Sequence, residues 1–200
     1  MTTTAAPVAT TDDPFRQRLL DGLADSIAER GYLTSTVADI VRAARTSKRT
    51  FYDRFAGKED CFLELLRTDN EHLAGEIRDA VDPQADWQQQ IRQSVGAYVA
   101  HIGARPAITL SWIRELPSLG AAARPAQRRG LDMMAGLLID LSRSPGFRRA
   151  NVAPLTAPLA VILLGGLREL TALAVEDGTD IQAILEPAVD ASIAVLGGRR

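Results

Sequence analysis

The chain has 200 residues and a mass of 21.6 kDa, and hydrophobic residues make up 46% of it, enough for one domain core with a small additional module. Aromatic residues account for only 5%, whereas alanine and leucine abound, so composition predicts an all-α fold. The single cysteine excludes an intramolecular disulfide framework and a four-ligand zinc site, so we expect a cytoplasmic protein. We expect neither a metal nor a cofactor.

The sequence predicts neither a secretion signal nor a membrane span. Residues 1–12 lack the basic start and apolar block of a secretion signal, and their Thr, Ala and Pro content predicts a flexible arm over residues 1–13. The longest apolar run, residues 159–167, is about half the length that a bilayer requires and is followed by Arg168 and Glu169. We therefore expect no membrane partner.

Two helices are predicted at the start of the chain. Residues 14–30 have apolar side chains at helical spacing and are followed by Gly31. Residues 37–44 repeat the same spacing, and Thr36 with Asp39 forms the pattern of a capping box. Both helices are short enough to belong to one small module.

A third short helix is predicted after a three-residue turn. Ser47 is placed to cap it, it ends near residue 54, and Phe51 and Phe55 lie one turn apart on the side that faces inward. The opposite side then carries Arg49, Thr50 and Asp53, with Tyr52 on a flank. These dimensions suit insertion into a major groove, where an arginine can read a guanine.

The charge of this region differs from that of the whole chain. The formal net charge is −2, but residues 42–58 hold six cations against the single anion Asp53, a local charge of +5. A concentrated basic segment is the electrostatic signature of a nucleic-acid binder. The alternative is a solvated basic surface without a ligand.

Further helical patterns follow the basic segment, separated by Pro and Gly. They cover residues 58–81, 84–103, 106–116, 125–142, 155–176 and 180–196.

The segment TVADIVRAARTSKRTFYDRFAGKEDCF, residues 36–62, resembles the DNA-binding motif of the TetR family of bacterial regulators. The matching positions are Thr36, Ile40, Val41, Ala44, Ser47, Phe51, Tyr52, Phe55, Lys58 and Glu59. The resemblance implies a helix-turn-helix domain over residues 14–57 and an effector-binding and dimerisation domain over residues 58–200. It implies a ligand-responsive regulator, a repressor released from a palindromic operator by an apolar or amphipathic small molecule.

The resemblance also implies roles for individual residues. Tyr52 and Lys58 are expected to bind backbone phosphate, Thr36 to anchor the second helix, and the outward residues of the third helix to read bases. The full set expected to contact double-stranded DNA is Thr36, Arg45, Thr46, Ser47, Lys48, Arg49, Thr50, Tyr52, Asp53 and Lys58.

Three arginines depart from the family pattern. Arg45 stands where the family often has a turn glycine, at a cost of about 1 kcal/mol if the turn is left-handed. Arg49 replaces a second common glycine and Arg54 a common histidine, which predicts a more basic motif and a different operator preference.

The family places an effector cavity among the helices that follow the motif. Met, Trp and Tyr suit an adaptable apolar pocket, and the candidates for effector binding are Tyr98, His101, Trp112 and Met133. For each of them the alternative is an ordinary place in the core, or on the surface for the histidine.

The last two helices are expected to form a homodimer interface, as they do in the family. Two adjacent glycines inside an apolar helix are unfavourable unless a partner helix packs closely against them. The candidate interface residues are Leu163, Gly165, Gly166, Leu167, Leu170, Val189, Ile193 and Leu196. The alternative is packing within one chain.

Two other classes of protein are the alternatives to a ligand-responsive regulator. An enzyme is disfavoured because the chain has only two histidines and no nucleophile elbow, zinc-protease or phosphate-loop motif. Asp69 lies three residues before His72, but the second Glu-x-x-His that a di-iron bundle requires is absent. An architectural DNA binder without a sensing function would need no cavity.

Overall fold

The structure, a computed structural model, describes residues 13–198, and over that range it consists of helices and their connections. The predicted arm lies outside the described residues apart from Asp13. The helices are α1 (Pro14–Arg30), α2 (Val37–Ala43), α3 (Lys48–Tyr52), α4 (Lys58–Ala80), α5 (Trp87–Ala104), α6 (Pro106–Leu110), α7 (Arg124–Leu141), α8 (Pro145–Arg149), α9 (Ala157–Glu176) and α10 (Leu185–Gly197). The all-α fold class is confirmed.

The chain between α6 and α7 differs from the prediction. The sequence predicts one regular helix over residues 106–116, but the α-helical part ends at Leu110. A π-helical turn (Ser111–Glu115) and a 3-10 segment (Leu116–Ala122) follow it. The helix therefore changes its hydrogen-bond spacing twice before α7 begins.

Pro117 explains this change. A proline has no N–H to donate to the carbonyl four residues earlier, here that of Ile113, and its ring crowds that carbonyl. Leu116 donates instead to the Ser111 carbonyl, five residues back, which is π-helical spacing. The Ile113 carbonyl accepts a 3.0 Å hydrogen bond from Arg168 Nη2.

Two further elements differ from the prediction near prolines. The sequence predicts a break at residues 144–146, but Pro145 occupies the first turn of the short helix α8, where its missing N–H is harmless. The predicted helix over residues 180–196 begins as a 3-10 turn (Ile181–Ile184), and α10 follows with Pro187 in its first turn.

A close approach of backbones fixes α1 against α2. A Cβ atom added to Gly22 would lie 2.7 Å from the Ile40 carbonyl oxygen and 2.9 Å from the Ala44 nitrogen. No larger residue fits at this crossing without moving one helix. The glycine thus positions α2, and the turn after it, relative to α1.

The hydrophobic core of the first three helices extends beyond residue 57. Phe51 and Phe55 share it with Phe62 of α4 and with Ile108 and Leu116 from the segment before α7. Separate apolar clusters lie between α5, α9 and α10 and between α4 and α7. The boundary between residues 57 and 58 stays a prediction, and packing across it connects the two parts.

Candidate DNA interface, ligand cavities and partner face

Helix α3 is anchored on one side and open on the other. Phe51 is fully buried, and the Ser47 side chain caps the helix by accepting a hydrogen bond from the Thr50 amide at 3.1 Å. Tyr52 is 58% exposed beside it. Lys48, Arg49 and Asp53 are exposed as well. The predicted reading residues therefore share an accessible surface.

The turn between α2 and α3 is left-handed at Arg45. Its φ of 49° lies in the region that favours glycine, so the strain expected from the missing glycine is present. The Thr46 amide closes the turn by donating to the Val41 carbonyl at 2.9 Å. The backbone holds the Arg45 side chain on the outside of the turn, where it is exposed.

The six cations of residues 42–58 fall into two groups. Arg42, Arg54 and Lys58 have partners within the protein. In the part of the chain that the structure describes, the side chains of Arg45, Lys48 and Arg49 have neither a hydrogen-bond nor an ion-pair partner. The charge available to DNA is therefore smaller than the sequence count and is concentrated on the turn and the start of α3.

Arg54 connects the end of the helix-turn-helix to its beginning. Its Nε donates to Asp13 Oδ2 at 2.7 Å, and its guanidinium carbon lies 5.0 Å from the centre of the Phe15 ring. The hydrogen bond from Arg54 lowers the pKa of Asp13. The interpretation that Arg54 makes the motif more basic is wrong, because its charge faces this carboxylate.

Lys58 does not lie free for phosphate, contrary to the prediction. Its ammonium donates to the backbone carbonyls of Tyr32 at 2.9 Å, Leu33 at 3.3 Å and Ser35 at 2.9 Å, which uses all three of its N–H groups. It also lies 4.3 Å from the centre of the Tyr32 ring. Lys58 holds the α1–α2 connection in place.

The predicted capping box of α2 is present. The Asp39 amide donates to Thr36 Oγ1 at 3.2 Å, and the Thr36 amide donates to Asp39 Oδ2 at 3.0 Å. Hydrogen bonds from Thr36 are the first cause that lowers the pKa of Asp39, and Arg30 and Arg42 add to it. Thr36 thus fixes the start of the helix that supports α3.

Two cavities lie in the helices that follow. The larger, about 750 Å³, is bounded by α4, α5, α7, α9 and the π-helical turn, and Trp112 lines it. The smaller, about 400 Å³, lies between α5, α7, α9 and α10. Tyr98 lines both, and its hydroxyl is 2.8 Å from Thr171 Oγ1. Burial is the main cause that raises the pKa of Tyr98.

His101 and Met133 do not line either cavity, contrary to expectation. The His101 ring lies between two carboxylates, with Nδ1 2.8 Å from Glu76 and Nε2 3.3 Å from Asp69. Burial alone would lower the pKa of His101, but the two carboxylates outweigh it and raise the pKa. Met134, the next residue after the predicted methionine, lines both cavities.

Comparison with known proteins decides the family. The model of the family "Bacterial regulatory proteins, tetR family" matches residues 19–65, which include α2, the left-handed turn and α3. Residues 19–65 of this chain are thereby assigned to the DNA-binding domain of the tetR family. The expectation of a DNA-binding transcription regulator rather than an enzyme is thereby confirmed.

The named relatives of this chain are transcription regulators. It is 24% identical over 161 residues to the HTH-type transcriptional activator FasR of Mycolicibacterium smegmatis, an alignment that covers 78% of this chain and 72% of FasR. It is 39% identical over 77 residues to the HTH-type transcriptional repressor KstR2 of Mycobacterium tuberculosis, covering 38% of each chain. The crystal structure of FadR from Bacillus subtilis in complex with stearoyl-CoA has the same fold, with a TM-score of 0.72, 18% identity and coverage of 87% of this chain and 95% of FadR.

Helix α9 of the regulator carries an exposed apolar face. Ile162 is 61% exposed, Leu173 48%, Val161 43% and Leu170 37%. Gly165 and Gly166 are exposed too, and an added Cβ atom would meet nothing within 4 Å at either. Packing within one chain therefore does not require these glycines.

Three of the predicted interface residues need revision. Val189 is fully buried and Leu196 is 4% exposed, so both belong to the core that α10 forms with α5 and α9. Ile193 is half-buried at the edge of that core. Val161, Ile162 and Leu173 were not predicted from the sequence, because α9 is apolar around most of its circumference and its periodicity does not tell which side packs on its own chain.

Helix α9 also has the length and mean hydropathy of a membrane-crossing helix. Among the described residues, Ala157–Glu176 alone meets both criteria, with a hydropathy of 1.7 and 22% of its most apolar window buried inside the protein. By length and composition this helix could span a bilayer, which contradicts the expectation that no segment is long enough. Its middle carries Arg168 and Glu169, both with ion-pair or hydrogen-bond partners.

Proposed function

We propose that this regulator is a cytoplasmic homodimer that represses transcription by binding a nearly palindromic operator and is released from it by an apolar or amphipathic small molecule. One observation carries the DNA-binding part of this proposal. Arg45, Lys48 and Arg49 are exposed and without partners among the described residues, on a turn and helix whose other side is held by the buried Phe51. Charges that the fold does not use are available to a phosphate or a base edge.

The side chains divide into two roles on the operator. Arg49, Thr50 and Asp53 face the bases, where a bidentate arginine–guanine contact is the commonest specific one. Arg45, Lys48 and Tyr52 lie at the phosphates, with Thr36, Thr46 and Ser47 at the edges of the groove. Lys58 contributes by fixing the α1–α2 connection, not by touching DNA.

Selection of bound duplexes from random DNA tests the DNA-binding part, followed by electrophoretic shift titrations at several salt concentrations. Lys48→Ala should weaken binding to all sequences and reduce the salt slope by about one unit per lost phosphate contact, hence about two in a symmetric dimer. Arg49→Ala should relax the preference at one base pair per half-site, at about 1–3 kcal/mol per lost contact. Arg143→Ala, at the end of α7, is the control that should change neither. If Lys48→Ala and Arg49→Ala bind the selected and scrambled duplexes as the unmodified protein does, α3 is not the reading helix.

The exposed face of α9 supports the dimer. A contiguous row of apolar side chains beside two unobstructed glycines is the surface that a second helix can approach closely. A pair of chains related by a two-fold axis would place two α3 helices to read two half-sites about one turn of DNA apart. A bilayer is the other environment that would cover such a face.

The two cavities support a small-molecule effector. Their volumes of about 400 and 750 Å³ lie within the usual range for ligand sites, and apolar side chains dominate both walls. The similarly folded FadR of Bacillus subtilis has been crystallised with stearoyl-CoA, an amphipathic ligand. A purely architectural DNA binder would not need this space.

The π-helical turn connects the larger cavity to the rest of the protein. Trp112 lines the cavity, and Arg114 pairs with Glu169 at 2.8 Å and Glu176 at 2.7 Å on α9. Glu115 contacts the α1–α2 connection of the DNA-binding part. A ligand that moves this turn would therefore act on the partner face and on the helix-turn-helix together.

Thermodynamic coupling gives the test of release. A ligand that favours a conformation with misplaced α3 helices weakens operator binding, and operator weakens ligand binding by the same factor. Calorimetry with and without the selected duplex should therefore give two ligand affinities that differ by the factor seen in shift titrations. A ligand with equal affinities in both conditions is not the inducer. A ligand that tightens operator binding would be a co-repressor and not an inducer.

A further inference from the structure

The two cavities share a wall. Tyr98 on α5, Met134 on α7, and Leu164 and Leu167 on α9 line both of them. No charged side chain lies in this wall, and Met134 is an unbranched side chain that adapts easily to a neighbour. A chain-like ligand that displaces these side chains would therefore pass from the larger cavity to the smaller one through apolar surroundings.

The smaller cavity offers nothing to a polar ligand group. Its lining includes no charged residue, and the polar side chains in it are already engaged. The Gln90 amide donates to the Pro83 and Ala85 carbonyls and accepts from Ser144, and Ser142 donates to the Ile139 carbonyl while accepting from the Leu155 amide. Ser94 and Ser192 each donate to the carbonyl four residues earlier in their helices. Only a hydrocarbon segment suits this space.

The larger cavity, by contrast, carries an excess of unpaired positive charge. Arg168 lines it half-buried, and within the described residues its guanidinium makes one hydrogen bond, to the Ile113 carbonyl. Arg124 lines its mouth without a partner in the same part of the chain, while Arg128 pairs with Asp132.

The carboxylate that also lines the larger cavity does not offset these charges. Asp69 is engaged by His101 at 3.3 Å and by Arg105 at 3.8 Å. Burial lowers the pKa of Arg168, which means that its cationic form lacks the solvation it has in water. An anion beside Arg168 would compensate for this lost solvation of the guanidinium.

We propose that the effector is an amphiphile with one anionic head and a long hydrocarbon tail, its head bound by Arg168 and Arg124 in the larger cavity and its tail passing Tyr98 into the smaller one. This inference rests on the proposed ligand-dependent release and names the chemical class of the ligand. A fatty acid and an acyl thioester of an anionic carrier both have this chemistry. Their head groups differ in size, and the exposed position of Arg124 leaves room for either at the mouth of the larger cavity.

Calorimetry on the full-length protein tests the proposal with octanoate to tetradecanoate, the alcohols of equal length, and tetradecanoyl-CoA. Carboxylates should bind at least tenfold more tightly than the matching alcohols, and affinity should rise by up to about fourfold per added methylene while the tail enters the smaller cavity. Equal or better binding of tetradecanoyl-CoA identifies the thioester as the source of the head group, and its failure to bind identifies the free acid.

Variants separate head from tail. Arg168→Met should abolish the preference for carboxylate over alcohol, Arg168→Lys should keep most of it, and the control Arg143→Met should leave it intact. Ser94→Phe fills part of the smaller cavity. In this variant the rise in affinity with chain length should stop at a shorter chain than in the unmodified protein, and the affinity for octanoate should not change.

Two results would overturn the proposal. The first is that alcohols bind as tightly as the carboxylates of equal length. The second is that Ser94→Phe leaves the dependence of affinity on tail length unchanged. If no amphiphile binds while the protein still selects a duplex, this inference fails and the DNA-binding function stands.

Discussion

The carboxylate of Glu115 accepts hydrogen bonds from the two backbone amides that follow Gly31 and begin the connection between α1 and α2. Tyr32 N lies 3.1 Å from Oε2 and Leu33 N lies 3.4 Å from Oε1. Glu115 ends the π-helical turn whose Trp112 lines the larger cavity. A side chain of the proposed sensing part therefore holds the loop that orients the DNA-binding helices.

Replacing Glu115 with alanine should uncouple the two parts without unfolding either. The Tyr32 and Leu33 amides would lose their acceptor, so hydrogen exchange at these two positions should become faster. Shift titrations should then show a smaller ligand-induced loss of DNA affinity than in the unmodified protein. Glu115→Gln keeps one acceptor oxygen and should behave in between. Unchanged exchange at both amides in Glu115→Ala would mean that the contact contributes nothing.

The left-handed turn residue offers a substitution with opposite effects on stability and binding. Arg45→Gly should relieve a φ of 49° and raise the free energy of unfolding by about 1 kcal/mol, while the loss of the guanidinium weakens DNA binding. Denaturant unfolding and shift titrations measure the two effects. Arg45→Ala is the matched control: it should lose the same DNA affinity without the gain, because alanine keeps the steric cost at positive φ. A stability gain for alanine equal to that for glycine would contradict this account.

Regular helices were predictable from the sequence, and irregular ones were not. The bounds of α1 and the capping box of Thr36 follow from local signals, periodicity and a side chain three residues from its partner. The π-helical turn depends on how the chain accommodates Pro117 and on Arg168, which is distant in sequence, satisfying the freed Ile113 carbonyl. Contacts of this kind leave no periodic pattern to read.

The candidate site shows the same division. Phe51 pointing inward and Tyr52 outward could be read from helical spacing, as could the exposed charges of α3. The partners of Lys58 and Arg54 could not, because they lie 23 or more residues away along the chain. Burial of Val189 likewise depends on which side of α10 packs on α5.

The crossing of α1 and α2 should tolerate no side chain at residue 22. Gly22→Ala places a Cβ atom 2.7 Å from the Ile40 carbonyl oxygen, so we expect a loss of about 1–3 kcal/mol in unfolding free energy together with weaker DNA binding. Gly75→Ala is the control in the interior of α4, where nothing lies within 4 Å, and it should stabilise the protein by about 0.5–1 kcal/mol. Equal effects of the two substitutions on the free energy of unfolding would show that the crossing of α1 and α2 does not restrict the size of residue 22.

His101 should make stability depend on pH near neutrality. Its pKa is raised above the ordinary 6.5 by Asp69 and Glu76, so the folded protein binds the imidazolium proton more tightly than the unfolded chain does. This contribution is fully present below pH 6.5 and is lost as the pH rises through the higher pKa of the folded state, with a slope of at most about 1.4 kcal/mol per pH unit. Denaturant unfolding between pH 5.5 and about 8.5 should show this decline. His101→Gln should flatten it, and a decline that persists in His101→Gln belongs to another group.

Charged substitutions on the exposed face of α9 should separate the dimer into folded monomers. Ile162→Glu and Leu173→Glu place charges at positions that are 61% and 48% exposed in one chain, so neither disturbs the core of that chain. In a dimer the same charges would be buried without a partner, which is strongly unfavourable. Sedimentation at micromolar concentration should therefore give twice 21.6 kDa for the unmodified protein and 21.6 kDa for each variant, with little change in helicity.

Controls distinguish loss of association from loss of folding in this experiment. Ala183→Glu adds the same charge at an exposed site in the 3-10 turn before α10 and should remain dimeric. Gly166→Ala meets no atom within 4 Å in one chain, so any weakening of the dimer by this methyl group reports close approach of a second copy. The monomeric variants should also bind a single half-site with little preference for the palindrome, since two recognition helices are then no longer joined. A dimer that survives both glutamate substitutions would place the interface on another face and leave the apolar surface of α9 to a different partner.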